Sequence, residues 1–132
     1  LRDIGEKVWK GEPIGLGNGW VNLVWQGDAV LQSLLCLEHA GTPAAVMNVT
    51  GPELLSVRQI ALEFAKRFGK VPAFTGNEAP VAYLSNASKA HAAFGYPRVP
   101  IGRVMDWTAD WISRGLGSLG KPTHFEEAGG KF

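Results

Sequence analysis

Met47-Asn-Val-Thr-Gly-Pro-Glu-Leu-Leu-Ser-Val-Arg-Gln-Ile-Ala-Leu-Glu-Phe-Ala-Lys-Arg-Phe-Gly69 decides the reading of this chain. With the residues just before it, it gives a continuous apolar stretch from Ala44 to Thr50, interrupted only by Asn48, as in a strand buried on both faces. Gly51 and Pro52 turn the chain. Ser56 then offers a side-chain oxygen to the first helical amides, and Gln59, three positions on, completes a capping box. Val57, Ile60, Ala61, Phe64, Ala65 and Phe68 share one helical stripe, while Arg58, Glu63, Lys66 and Arg67 point away from it. Gly69 stops the helix. A strand, a turn and a capped helix make half of a parallel α/β unit, an architecture that places ligands beyond the carboxyl ends of its strands.

Before this stretch, Trp20-Val-Asn-Leu-Val-Trp25 predicts a strand from its aromatic and β-branched content. Gln26-Gly27-Asp28 turns it into a helix running to about His39, with Asp28 as N-cap. Val30, Leu31, Leu34, Leu35, Cys36 and Leu37 surround most of that helix, so both its sides are expected to be covered. A short helix over Arg2 to Lys10 opens the chain. The glycine-rich Gly11-Glu-Pro-Ile-Gly-Leu-Gly-Asn-Gly19 matches neither G-x-G-x-x-G nor a P-loop and leads into a strand rather than a helix, so it is expected to be a connector. After Gly69, Val71-Pro-Ala-Phe-Thr-Gly76 supplies no second helix, which excludes a DNA-binding helix-turn-helix. A short strand near Val81 to Leu84 follows, then a helix capped by Asn86. A final helix has the stripe Ile101, Val104, Met105, Thr108, Trp111 and Ile112, ended by Gly115. Strands alternating with helices favour parallel pairing, and predict an α/β fold: a small, mostly parallel sheet with flanking helices. The expected domain spans residues 1–117, with a polar, extended tail over 118–132.

The 132 residues carry 13 Lys and Arg against 12 Asp and Glu, a net charge of +1, which gives no electrostatic case for nucleic acid or an anionic membrane surface. No apolar run reaches the roughly 18 residues that a membrane helix needs. Cys36, the one cysteine, cannot form an internal disulfide and points to a reducing, cytoplasmic setting.

In order and spacing the motifs resemble the C-terminal part of the NAD-dependent epimerase/dehydratase family, the extended short-chain dehydrogenases/reductases. The residues that carry the resemblance are Asn22-Leu-Val-Trp-Gln-Gly-Asp28, Met47-Asn48 followed by Gly51 and Ser56, and Ser85-Asn86-Ala-Ser88-Lys89-Ala90. Phe94-Gly95-Tyr96-Pro97 and the closing Trp107 and Trp111 complete it. The resemblance implies an incomplete Rossmann-like portion, with NAD or NADP bound by the full-length enzyme and not by this chain. It implies an N-terminal dinucleotide-binding domain as partner and a small-molecule substrate. Since the chain starts at Leu1, it is expected to be the C-terminal piece of a longer protein. The family's Tyr-x-x-x-Lys pair has no match, because Tyr83 is followed four residues later by Ala87 and Tyr96 by Pro100. The family's diphosphate-binding arginines would fall near Val21 and near Thr75 or Gly76, none of them basic, which argues against a UDP- or dTDP-sugar.

Four residues are candidates for substrate binding. Asn48 interrupts an apolar strand near its carboxyl end, and Trp25 and Gln26 end the other strand. Arg58 lies in a first helical turn, where an anion is favoured. No catalytic residue is expected, and His39, His91 and His124 show no metal-ligand spacing. The competing expectation is a stand-alone α/β binding or assembly module acting as a homodimer or larger homo-oligomer, since a small sheet leaves an edge and a face to be covered.

Overall fold

The structure, a computed structural model, describes residues 1–80, 82–121, 123, 125 and 126. Helix α1 spans Arg2–Lys10, and strand β1, Pro13–Gly15, follows at once. Strand β2 is Trp20–Val21, and helix α2, Gln26–Leu35, continues into a 3₁₀ turn over Cys36–His39. Strand β3, Leu55–Ser56, runs directly into helix α3, Val57–Phe68. Strands β4, Ala73–Thr75, and β5, Ala82–Tyr83, precede helices α4, Ser88–Phe94, and α5, Ile101–Ser113. The α/β class holds, and two of the three strand pairings are parallel, but the strands form two sheets. β1 pairs with β4, parallel, and β2 lies between antiparallel β3 and parallel β5.

The core lies where α1, α3 and α5 meet over β1. Ile4 and Val8 of α1, Ile14 of β1, Ile60, Ala61 and Phe64 of α3, and Met105 and Ala109 of α5 are all buried. Sealing Phe64 away from water stabilises the fold by about 2 kcal/mol. Gly5 sets how closely the helices approach, since a Cβ there would stand 2.7 Å from Ile112 Cδ1 and 3.3 Å from the Phe64 ring. Helix α3 is capped at both ends, and of the expected capping box the Ser56 half is present. Ser56 Oγ accepts from Gln59 N at 3.4 Å, and Gly69, with φ of 63°, closes the helix in the left-handed region. Across its outer face, Arg67 joins Glu63 at 2.9 Å and Asp106 of α5 at 2.9 Å.

Several expectations need correction. The loop Gly11–Gly19 is more than a connector, because Pro13–Gly15 pairs with Ala73–Thr75, two stretches whose proline and glycine content hides short strands. The strand expected over Trp20–Trp25 ends at Val21. Asp28 is not an N-cap. Trp25 holds that position, and Asp28 sits within the first turn, buried, where its Oδ2 accepts from Val99 N at 2.9 Å. The residues from Ala44 to Thr50 form no strand, and Val46 is 77% exposed. Helix α2 is not covered on both sides: its buried residues are Asp28 and Gln32, Leu31 and Leu35 are half-buried, and Val30, Leu34 and, just beyond it, Leu37 face outward. On α5 the buried stripe takes Ala109 in place of Trp111, which is 47% exposed. The cap position of α4 is Ala87 rather than Asn86, whose Oδ1 accepts from Ser88 N at 3.0 Å. Within the expected tail, Glu126 meets Lys7 at 2.6 Å, Phe125 packs against the core, and Thr123 bonds to Asp3. Val81, His124 and residues 127–132, on which other expectations fall, lie outside the described residues.

Candidate functional site

Two cavities occupy the region around the strand ends. The first, about 350 Å³, lies between Leu23–Trp25, the Gly51–Glu53 turn and the Tyr96–Ile101 loop. Gly51 permits this arrangement, because a Cβ there would collide with the Leu23 carbonyl oxygen. Trp25 lines this cavity and stands edge-on to Trp107 of α5, with ring centroids 5.5 Å apart.

The second cavity, about 250 Å³, is bounded by Asn18 and by five further segments. These are the first turn of α1, β2 with Leu23 beyond it, Val57 at the start of α3, Tyr83 of β5, and Thr123 with Phe125. Side-by-side parallel β2 and β5 bring Trp20, Val21 and Tyr83 to one wall. Asn18, 2% exposed, holds the opposite wall through Nδ2, which donates to the Phe125 carbonyl at 2.6 Å. Glu126 anchors the same turn by accepting from Lys7 Nζ at 2.6 Å and from Gly15 N at 2.7 Å. Burial pushes the Glu126 carboxyl up, but the bonds from Lys7 and Gly15 outweigh it and hold the group below the usual carboxylate range.

The four residues expected to bind substrate do not converge. Trp25 lines the first cavity. Gln26 is exposed at the first position of α2. Asn48 is exposed, and its Nδ2 donates to the Asn86 carbonyl at 3.1 Å, tying the extended segment to the start of α4. Arg58 pairs with Glu78 at 2.9 Å and lies over the Phe74 ring at 4.5 Å. Sequence reasoning does not name Val21, Val57, Tyr83 and Phe125 as binding residues, yet they line the second cavity from distant parts of the chain. The pairing of β2 with β5 was the signal available, since both short strands carry an aromatic residue. Among the described residues no cluster of His, Cys, Asp or Glu could hold a metal ion. His39 stacks edge-on to Phe94 at 5.3 Å, and His91 Nε2 donates to the Thr50 carbonyl at 3.0 Å.

The residues present do not fit the pyrophosphate of a dinucleotide. The glycine-rich loop leads into β2 rather than a helix N-terminus, and the Gly15 amide already serves the Glu126 carboxylate, whose charge repels a phosphate.

No protein-family model and no curated protein matches the sequence. Solved structures do match. The UDP-glucose 4-epimerase of Thermus thermophilus, solved with NAD, superimposes with a TM-score of 0.69 over 86% of this chain, at 20% identity. This chain shares its fold with such epimerases. That of Thermotoga maritima, solved with UDP-glucose, gives 0.67 over 87% at 21% identity, and the dTDP-glucose 4,6-dehydratase of Bacillus anthracis, solved with NAD, gives 0.65 over 84% at 16% identity. The match covers 40%, 39% and 37% of those chains, so the chain spans about two-fifths of their length, consistent with a C-terminal piece. Among the described residues no helix is long and apolar enough to cross a membrane.

Proposed function

We propose that this chain is the substrate-side, C-terminal segment of a cytoplasmic NAD(P)-dependent epimerase, dehydratase or reductase acting on a small molecule. In this reading an N-terminal dinucleotide-binding domain outside the 132 residues binds the cofactor and supplies the catalytic groups, and the segment alone is inactive. The observation that carries it is the inverted packing of α2, with Asp28 and Gln32 buried while Val30, Leu34 and Leu37 face outward beside the unpaired stretch Ala44–Val49. An apolar helix side next to an extended apolar segment is what one layer of a parallel α/β sandwich offers the next. Titrating the chain with NADH should produce no saturable fluorescence change and no hydride transfer; tight NADH binding by the chain alone sinks the proposal.

The same uncovered face supports a second reading, the self-assembling module. Light scattering across a dilution series separates the two. A dimer that survives dilution favours the module, and a concentration-dependent, weakly sticking monomer favours the segment.

A further inference from the structure

We infer that the second cavity takes an uncharged ligand with a flat apolar body, and that a nucleotide diphosphate is excluded from it. The inference rests on the proposed reading of this chain as the substrate side of an enzyme, and it narrows the substrate class. Three rings, Trp20, Tyr83 and Phe125, and five aliphatic side chains, Val21, Leu23 and Val57 among them, form most of its wall. Such walls favour flat apolar groups, which stack on rings and displace poorly held water.

Among the described residues no cationic side chain at the cavity is free to hold a phosphate. Besides the Leu1 amine, whose pKa burial lowers, Arg2 is the one cation among its described lining residues. Its Nε pairs with Glu6 at 2.6 Å, and Nη1 and Nη2 donate to the carbonyls of Gly117 and Leu116 at 3.1 and 3.2 Å. Two helix N-termini reach the cavity and could in principle attract an anion. Asp3 already places a carboxylate in the first turn of α1. At α3, Val57 N donates to the Gly19 carbonyl and Gln59 N to Ser56 Oγ, so two of the first-turn amides are engaged. A diphosphate would enter beside Asp3 without a guanidinium to receive it, and would lose the charge-assisted bonds that offset its desolvation.

The test uses saturation-transfer NMR on the whole chain, with naphthylmethanol as the neutral probe and UDP as the charged one. Naphthylmethanol should bind saturably and at least about tenfold more tightly than UDP. Trp20→Ala removes a half-exposed wall, so the fold should survive, as circular dichroism will verify, and should weaken the alcohol by about threefold or more. Val21→Asp should weaken it by about tenfold or more, through a charge in the wall. UDP binding as tight as the alcohol, or alcohol binding that neither substitution changes, overturns the inference. The NADH titration is a separate readout, so the enzyme-segment reading can fail while the ligand preference stands, and the reverse.

Discussion

The α1–α3–α5 core and the flank made of α2, residues 40–54 and α4 differ in what they bury. The core hides Ile, Val, Phe and Met side chains and leaves its charges, such as Arg67 between Glu63 and Asp106, on the outer face. In the flank, Asp28, Gln32 and Thr50 are buried, and Val30, Leu34, Leu37, Val46 and Leu54 stand in the open. Its internal joints are polar: Asp28 with Val99 N, Gln32 with the Gly95 carbonyl, and Asn48 with the Asn86 carbonyl. The contrast shows that amphipathic pattern alone does not tell which way a helix faces. A stripe turns toward the largest apolar surface available, and for α2 the described residues do not supply one.

Four measurements test this division. Phe64→Ala empties the centre of the core and should cost about 3–5 kcal/mol in urea unfolding, enough to unfold a marginal domain. Asp28→Ala leaves the Val99 amide buried without its acceptor and should cost about 1–3 kcal/mol; a neutral result would show that the flank is not held by its polar joints. Stability should also fall in acid through Glu63. Hydrogen bonds from Lys66 and then Arg67 hold its pKa below the usual value when folded. A folded pKa that lies lower contributes stability above the unfolded value near 4.5, lost as pH falls through the folded one. The loss should be small and should shrink further with added salt, because the pair is exposed. Leu34→Ser, at 60% exposure, should shift stability by less than about 0.5 kcal/mol. A large loss there would mean that the chain covers α2 by itself, as a dimer would.

The core was legible in the sequence because each signal was local. Ser56, Gln59 and Gly69 mark the ends of α3, and Val57, Ile60, Ala61, Phe64 and Ala65 show its buried side. The α/β class followed from the order of elements. The short strands Pro13–Gly15 and Ala73–Thr75 were not legible, since their pairing joins residues some sixty positions apart and nothing local marks it. Asp28 was misread because an acid before an apolar run suits an N-cap, while its actual partner, Val99, lies far along the chain. Of the candidate site residues, Trp25 reached a cavity, and the residues lining the other cavity come from distant parts of the chain, joined in part by the β2–β5 pairing and the turn at Phe125.

The stretch Gly41–Thr50 contains no charged residue and stands largely open, in a chain whose formal net charge is only +1. Charge of either sign at a strand edge is what keeps copies of a protein from zipping together, and net charge is what keeps them apart in solution. Left by itself this chain has little of either. A single Lys placed at Val46, which is 77% exposed, should therefore raise the concentration at which the purified chain stays clear.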